Sequence, residues 1–190
     1  METLLPARLP HLRAGGQMRI WSAGCSNGQE AASAVMTLLE RAPEVANLDV
    51  RILATDIDLE VVGFARAGIY PERLMGGGPE SLRLMNFVPS DSCDGEAQIS
   101  TKAFMRQMIR FNELNLLAKW PMTRPFDLIL CRNVVIYFDG QTQAALWPRF
   151  HKALKPDGVL FLGHSERIAD PSLYKFDCIG PTTYAPTKKH

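Results

Sequence analysis

Three polar stretches fall where an apolar strand is expected to run out: Ser22–Glu30, Asp56 and Cys131–Asn133. Asp56 closes the run VRILATD, and a carboxylate there can accept hydrogen bonds from both vicinal hydroxyls of a ribose. The plainer reading is that Asp56 caps the next helix, since Asp is a favoured N-cap. Glu30 follows a glycine loop, Gly24-Cys-Ser-Asn-Gly28, that begins a helix-period pattern. Such a strand–loop–helix unit usually holds a nucleotide-like ligand. The loop is not G-x-G-x-x-G, and a carboxylate one turn into the helix repels a pyrophosphate. An acidic group there suits S-adenosylmethionine, which carries an ammonium and a sulfonium. Asn27-x-x-Glu30 also fits a capping box, a role compatible with ligand binding. Spacing alone therefore leaves two cofactors open, a methyl donor and a dinucleotide, with the missing fingerprint counting against the second.

Arg132 can present a planar fork to a carboxylate, and Tyr137 can donate a hydrogen bond without adding charge. By residue type alone they read as a strand-end charge and a core aromatic. His164-Ser165-Glu166 does not read as a hydrolase triad, because neighbours on one strand point to opposite faces. His11, His151, His164 and His190 lack metal-ligand spacing. Cys25, Cys93, Cys131 and Cys178 are scattered without a C-x-x-C pair, which reads as a cytosolic chain with free thiols and no metal.

The elements that must position these residues alternate. Strands are expected at about 18–23, 50–56, 125–131 and 159–164, and helices at about 28–41, 59–67 (ended by Gly68) and 141–154. That order predicts an α/β fold with a mostly parallel, doubly wound sheet. Lys155–Gly158 reads as a turn, and the tail as a hairpin across Gly180-Pro181. Pro148 should kink or split its helix. Residues 1–17 form a lead-in segment, and 18–190 form one domain. Turn signals at Gly76–Pro79, Pro89–Asp91 and Asp94-Gly95 mark a small antiparallel insertion over about 86–110.

At 190 residues, with 46% hydrophobic and 22% charged, the chain suffices for one substantial core. A net charge of +1 gives no electrostatic case for nucleic acid or an anionic membrane. No apolar run approaches the ~20 residues of a membrane span, and the N-terminus does not read as a signal peptide.

The segments RIWSAGCSNGQE, ILATDID, FNELNL, FDLILCRNVVIYF and LKPDGVLFLGHSE stand in the order found in CheR-type chemoreceptor glutamate methyltransferases. The chain resembles their catalytic domain over nearly its whole length, and CRNVVIYF followed by GHSE is the most specific part. The resemblance implies a class I S-adenosylmethionine-dependent methyltransferase fold. It implies methylation of glutamates on the cytoplasmic signalling domain of chemoreceptors, with S-adenosylhomocysteine as product. Cofactor contacts then fall on Gly24, Glu30, Asp56, Asn115, Leu116, Arg132 and Asn133, and Tyr137 lines the methyl-transfer site beside Arg132. The insertion resembles the family's small β-subdomain, which in some members docks a receptor tethering peptide.

The resemblance has departures. The family's loop usually reads Gly-Glu-Glu-Pro-Tyr-Ser, where this chain has Gly28-Gln-Glu-Ala-Ala-Ser33. Loss of the aromatic is expected to loosen the cofactor pocket. The family's helical N-terminal domain is absent ahead of Met1, so weak activity is expected. The rival reading is a non-catalytic cofactor-binding or receptor-docking module. CRNVVIYF lacks the Pro-Pro step of adenine methyltransferases, which sets nucleic acid aside. A cytoplasmic monomer is expected.

Overall fold

The computed structural model describes residues 4–75, 80–93 and 95–188. The turn expected at Gly76–Pro79, and Asp94 of the next turn, lie outside the described residues. The elements run α1 (Leu4–Arg13), β1 (Gln17–Ala23), α2 (Gln29–Arg41), β2 (Asp49–Asp56), α3 (Leu59–Ala67), β3 (Ile69–Pro71), α4 (Glu80–Asn86), β4 (Phe87–Cys93), β5 (Glu96–Thr101), α5 (Ala103–Met108), β6 (Ile109–Glu113), β7 (Phe126–Cys131), α6 (Gly140–Ala153), β8 (Leu154–Leu162), β9 (Phe176–Gly180) and β10 (Thr183–Pro186).

Seven strands form one sheet in the order β6-β2-β1-β7-β8-β10-β9. β6, β2, β1, β7 and β8 pair in parallel, and β10 joins β8 and β9 antiparallel. The alternation of β1 divides the core. Met18 and Ile20 pack with Val35 and Leu38 of α2 on one face, while Trp21 packs with Ile129, Trp147 and Phe150 on the other. The expected doubly wound, mostly parallel sheet is present.

At the amino end of the sheet, Asp127 is fully buried. Its carboxylate accepts from Lys155 Nζ at 2.9 Å and from the Arg19 amide at 2.8 Å. Arg8 of α1 also reaches it, with Nε 3.0 Å from Oδ1. A buried carboxylate without such partners would be strongly destabilising, so this cluster ties α1 to β7 and β8, well away from the carboxyl ends.

Two local expectations are corrected, and a third, at Pro148, is narrowed. The insertion's small antiparallel sheet, β3-β5-β4, begins at Ile69, and Ile109-Arg110 belong instead to β6, a parallel edge strand on β2. Only Ile109 and Phe111 carry β6's alternation, too short a signal to stand out. Lys155–Gly158 is absorbed into the irregular start of β8 rather than standing as a separate turn. α6 passes through Pro148 as one helix, so the proline removes a hydrogen bond without splitting the element.

Candidate active site

β1 and β2 run side by side, so their carboxyl ends deliver two loops to one place. Gly24 and Cys25 both donate to the Thr55 carbonyl at 2.8 Å, pinning the loop after β1 onto the end of β2. Gly24 has φ 78, and a Cβ there would lie 2.4 Å from Val134 Cγ2. Glycine is thus required both for the turn and for close approach of the loop after β7. Around this junction opens a cleft of about 1040 Å³. Gly24, Glu30, Asp56, Asn115, Leu116, Arg132, Asn133 and Tyr137 all line it.

Asp56 is not the cap of α3. That role belongs to Asp58, whose side chain accepts from the amides of Glu60 and Val61. Asp56 Oδ2 instead accepts from the Ser26 amide at 2.7 Å, and Oδ1 from the Asp58 amide at 3.2 Å. The carboxylate is held at the strand end with its remaining lone pairs available to a ligand.

Glu30 is likewise no capping-box residue, because the N-cap of α2 is Gly28 at φ 85 with no side-chain cap bond. The carboxylate turns inward: Ser22 Oγ donates to Oε1 at 2.6 Å, and Arg132 Nη1 stands 3.7 Å from Oε2. Burial raises the Glu30 pKa, and the Ser22 hydroxyl and Arg132 oppose that rise. A carboxylate in this first turn sits poorly with a pyrophosphate and well with a cation.

Asn115 Oδ1 accepts from the Leu117 amide at 2.8 Å, which shapes the turn after β6. Leu116 is buried, and its carbonyl accepts from Trp120 Nε1 at 3.0 Å and Arg149 Nη1 at 2.6 Å. Arg149 also stacks over Trp120, 4.2 Å from the ring centroid, so this wall is braced by a cation–π contact.

After β7, Arg132 leans toward Phe161, 5.9 Å from its ring centroid, and Asn133 turns the chain at φ 57. Tyr137 is 81% exposed, so it is not the core aromatic its type suggests. Ile57, Leu117 and Ile136 are also exposed.

Two residues escaped the sequence reading. Ser22, small and buried, anchors Glu30; Glu166 is 2% exposed and accepts from the amides of Asn133, Val134, Val135, Ile136 and Gly163. Its G-x-x-E spacing from Gly163 was the available signal. The Ala31-Ala32 departure falls in the core beneath α2, and neither residue lines the cleft.

Thiol chemistry is disfavoured here. Burial pushes the Cys25 thiol up to about 12, with Asp56 adding to the effect, and burial raises Cys131 well above its usual value. Among the described residues no group of three or more His, Cys, Asp or Glu side chains could hold a metal. No helix among them is long and apolar enough to cross a membrane.

The sequence matches the family described as CheR methyltransferase, SAM binding domain, over residues 1–185. The chain belongs to the CheR methyltransferase family. It is 44% identical over 188 residues to a probable chemotaxis protein methyltransferase of Rhizobium etli, covering 99% of this chain and 70% of that one. It is 39% identical over 178 residues to the chemotaxis protein methyltransferase of Escherichia coli, covering 93% of this chain and 61% of that one. Against the Borreliella burgdorferi relative the share of the relative is 58%, so the chain spans between 58% and 70% of the length of these three proteins.

The crystal structure of the DszA carbon methyltransferase superposes with a TM-score of 0.51 at 20% identity, covering 83% of this chain and 31% of that one. That likeness concerns the fold, which is the class I methyltransferase fold. The CheR family's cofactor is S-adenosylmethionine, and the cleft fits it on its own chemistry. Among its lining residues, Asp56 is a carboxylate able to accept from vicinal hydroxyls, Glu30 offers a negative charge, and Gly24 presents backbone without a side chain.

Proposed function

We propose that this chain transfers a methyl group from S-adenosylmethionine to glutamate side chains of chemoreceptor signalling domains, forming γ-methyl esters. The observation that carries this reading is the set of charged and polar side chains that one cleft brings together. Asp56 and Glu30 line it together with Arg132 and the exposed Tyr137, both from the segment after β7.

When bound, the cofactor supplies a sulfonium methyl open to in-line displacement. A substrate glutamate has a reference pKa of about 4.3 and is ionised at neutral pH, so no strong base is required. Its oxygen forms the new C–O bond as the C–S bond breaks, the electron pair staying on sulfur, and no proton has to move. Positioning is what this chain contributes. Asp56 takes the ribose hydroxyls, and Glu30 the polar methionyl end. Arg132, held toward Glu30, directs its remaining donors at the incoming carboxylate. The Tyr137 hydroxyl donates to the reacting carboxylate and adds no charge.

The small antiparallel sheet is the surface we assign to the protein partner. None of β3, β4 or β5 lines the cleft, and an exposed sheet edge can pair with an extended peptide. The proposed setting is the cytoplasm. Calorimetry with S-adenosylhomocysteine tests the cofactor half of the reading. Binding abolished or weakened in Asp56→Ala supports it, and NAD binding tighter than S-adenosylmethionine binding contradicts it.

A further inference from the structure

GHSE ends in a carboxylate that the chemistry above does not use. Glu166 is 2% exposed and does not line the cleft. Its Oε1 accepts from the amides of Val134 and Val135 at 2.8 Å and of Ile136 at 3.3 Å. Its Oε2 accepts from the amides of Asn133 at 2.8 Å and of Gly163 at 2.7 Å. Four consecutive amides can face one point only where the chain is wound into a concave turn. Asn133, at φ 57, and Val134, at φ −123, supply that winding. Such a nest ordinarily attracts an anion from outside. Here the protein fills it with its own.

We propose that Glu166 is a positioning residue of the methyl-transfer site: by collecting the amides of 133–136 it fixes the directions of Arg132, Asn133 and Tyr137 at the cleft. This inference rests on the reading of the cleft given above. Gly163 is the other half of the device. The Glu166 amide donates to the Gly163 carbonyl at 2.9 Å, bringing the side chain back over the strand end. A Cβ at position 163 would lie 2.6 Å from Glu166 Oε2 and 2.7 Å from Asn133 Oδ1. A carboxylate is required because every partner is a donor. Glutamine would turn an N–H₂ against one of them, and aspartate is a methylene too short to span both groups. The fully buried Asp127 offers the contrast. It serves the base of the sheet through Arg8, Lys155 and the Arg19 amide, and none of these four residues lines the cleft.

The test uses the whole chain and does not require turnover. Amide hydrogen exchange is followed in wild type and Glu166→Gln, alongside calorimetry with S-adenosylhomocysteine. Exchange at 133–136 should rise about tenfold or more while the amides of β1 and β2 keep their protection. Affinity should fall roughly three- to thirtyfold, since Arg132 and Asn133 touch the ligand only through this segment. Unchanged exchange at 133–136 overturns the proposal. So does an even rise across the whole sheet, which would make Glu166 a general stabiliser. If Glu166→Gln does not fold, Gly163→Ala keeps the carboxylate but crowds it, and it should produce the same local signature. A wild type that binds no S-adenosylhomocysteine would strike the functional reading, and the exchange pattern would still decide the positioning role.

Discussion

Arg132 Nη1 lies 3.7 Å from Glu30 Oε2, joining the loop after β7 to the first turn of α2 within the lining of the cleft. The Arg132 side chain remains 42% exposed and that of Glu30 18%, so this is a partly open ion pair rather than a sealed one. Opposite charges at this distance hold the guanidinium inward while leaving donors free for a second carboxylate. Arg132→Ala should therefore weaken both cofactor affinity and methyl transfer. Calorimetry and a turnover assay on the same preparation check this, and parent values in both would make Arg132 scaffold.

Asp56 and Asp58 separate ligand binding from helix capping. Asp56→Ala should weaken S-adenosylhomocysteine binding by about 1–3 kcal/mol, the cost of leaving ribose hydroxyls without an acceptor. Asp58→Ala should instead cost about 0.5–2 kcal/mol of folding stability, as loss of a cap does, with affinity unchanged. A thermal melt and a titration of each variant read the two effects independently.

Glu30 sets a pH dependence. Its folded pKa is raised by burial, with the Ser22 hydroxyl and Arg132 opposing. Cofactor affinity should fall as pH drops through that raised value, on the alkaline side of the ~4.3 of an exposed glutamate. For stability, the folded state holds the Glu30 proton more tightly than the unfolded chain. Stability is thus lost as pH rises from the unfolded value through the folded one. Ser22→Ala removes a group that favours ionisation, so it should move the acid limb of binding to higher pH. A limb that stays in place would remove Ser22 from the control of Glu30.

Tyr137→Phe should lower turnover more than it alters cofactor affinity, because the hydroxyl is assigned to the reacting carboxylate. Its 81% exposure makes a folding explanation of any loss weak. Equal kcat in the variant and the parent would return Tyr137 to the surface.

Most of the parallel core was legible because short apolar-rich strands alternate with helix-period segments over about 18–67 and again over about 125–164. Asp56 was legible as a strand-end carboxylate. What separated its two readings was backbone geometry, since Asp58, two residues on, takes the cap. Glu30 showed the reverse failure. Asn27-x-x-Glu30 has capping-box spacing, but Gly28 in the left-handed region moves the helix start and turns the carboxylate toward Ser22. β6 was missed because five residues with two buried positions give little alternation. Glu166 was quoted within GHSE without a role: its G-x-x-E spacing from Gly163 was visible, but spacing alone does not reveal that its five donors are backbone amides.

The most direct measurement uses methyl-labelled S-adenosylmethionine and a purified chemoreceptor cytoplasmic domain, with the product treated with mild base. A γ-glutamyl methyl ester is base-labile, so the account predicts protein-bound label that is released as methanol and is lost when Asp56 and Tyr137 are both substituted. Label that survives base, or label transferred equally well by the doubly substituted protein, would contradict it.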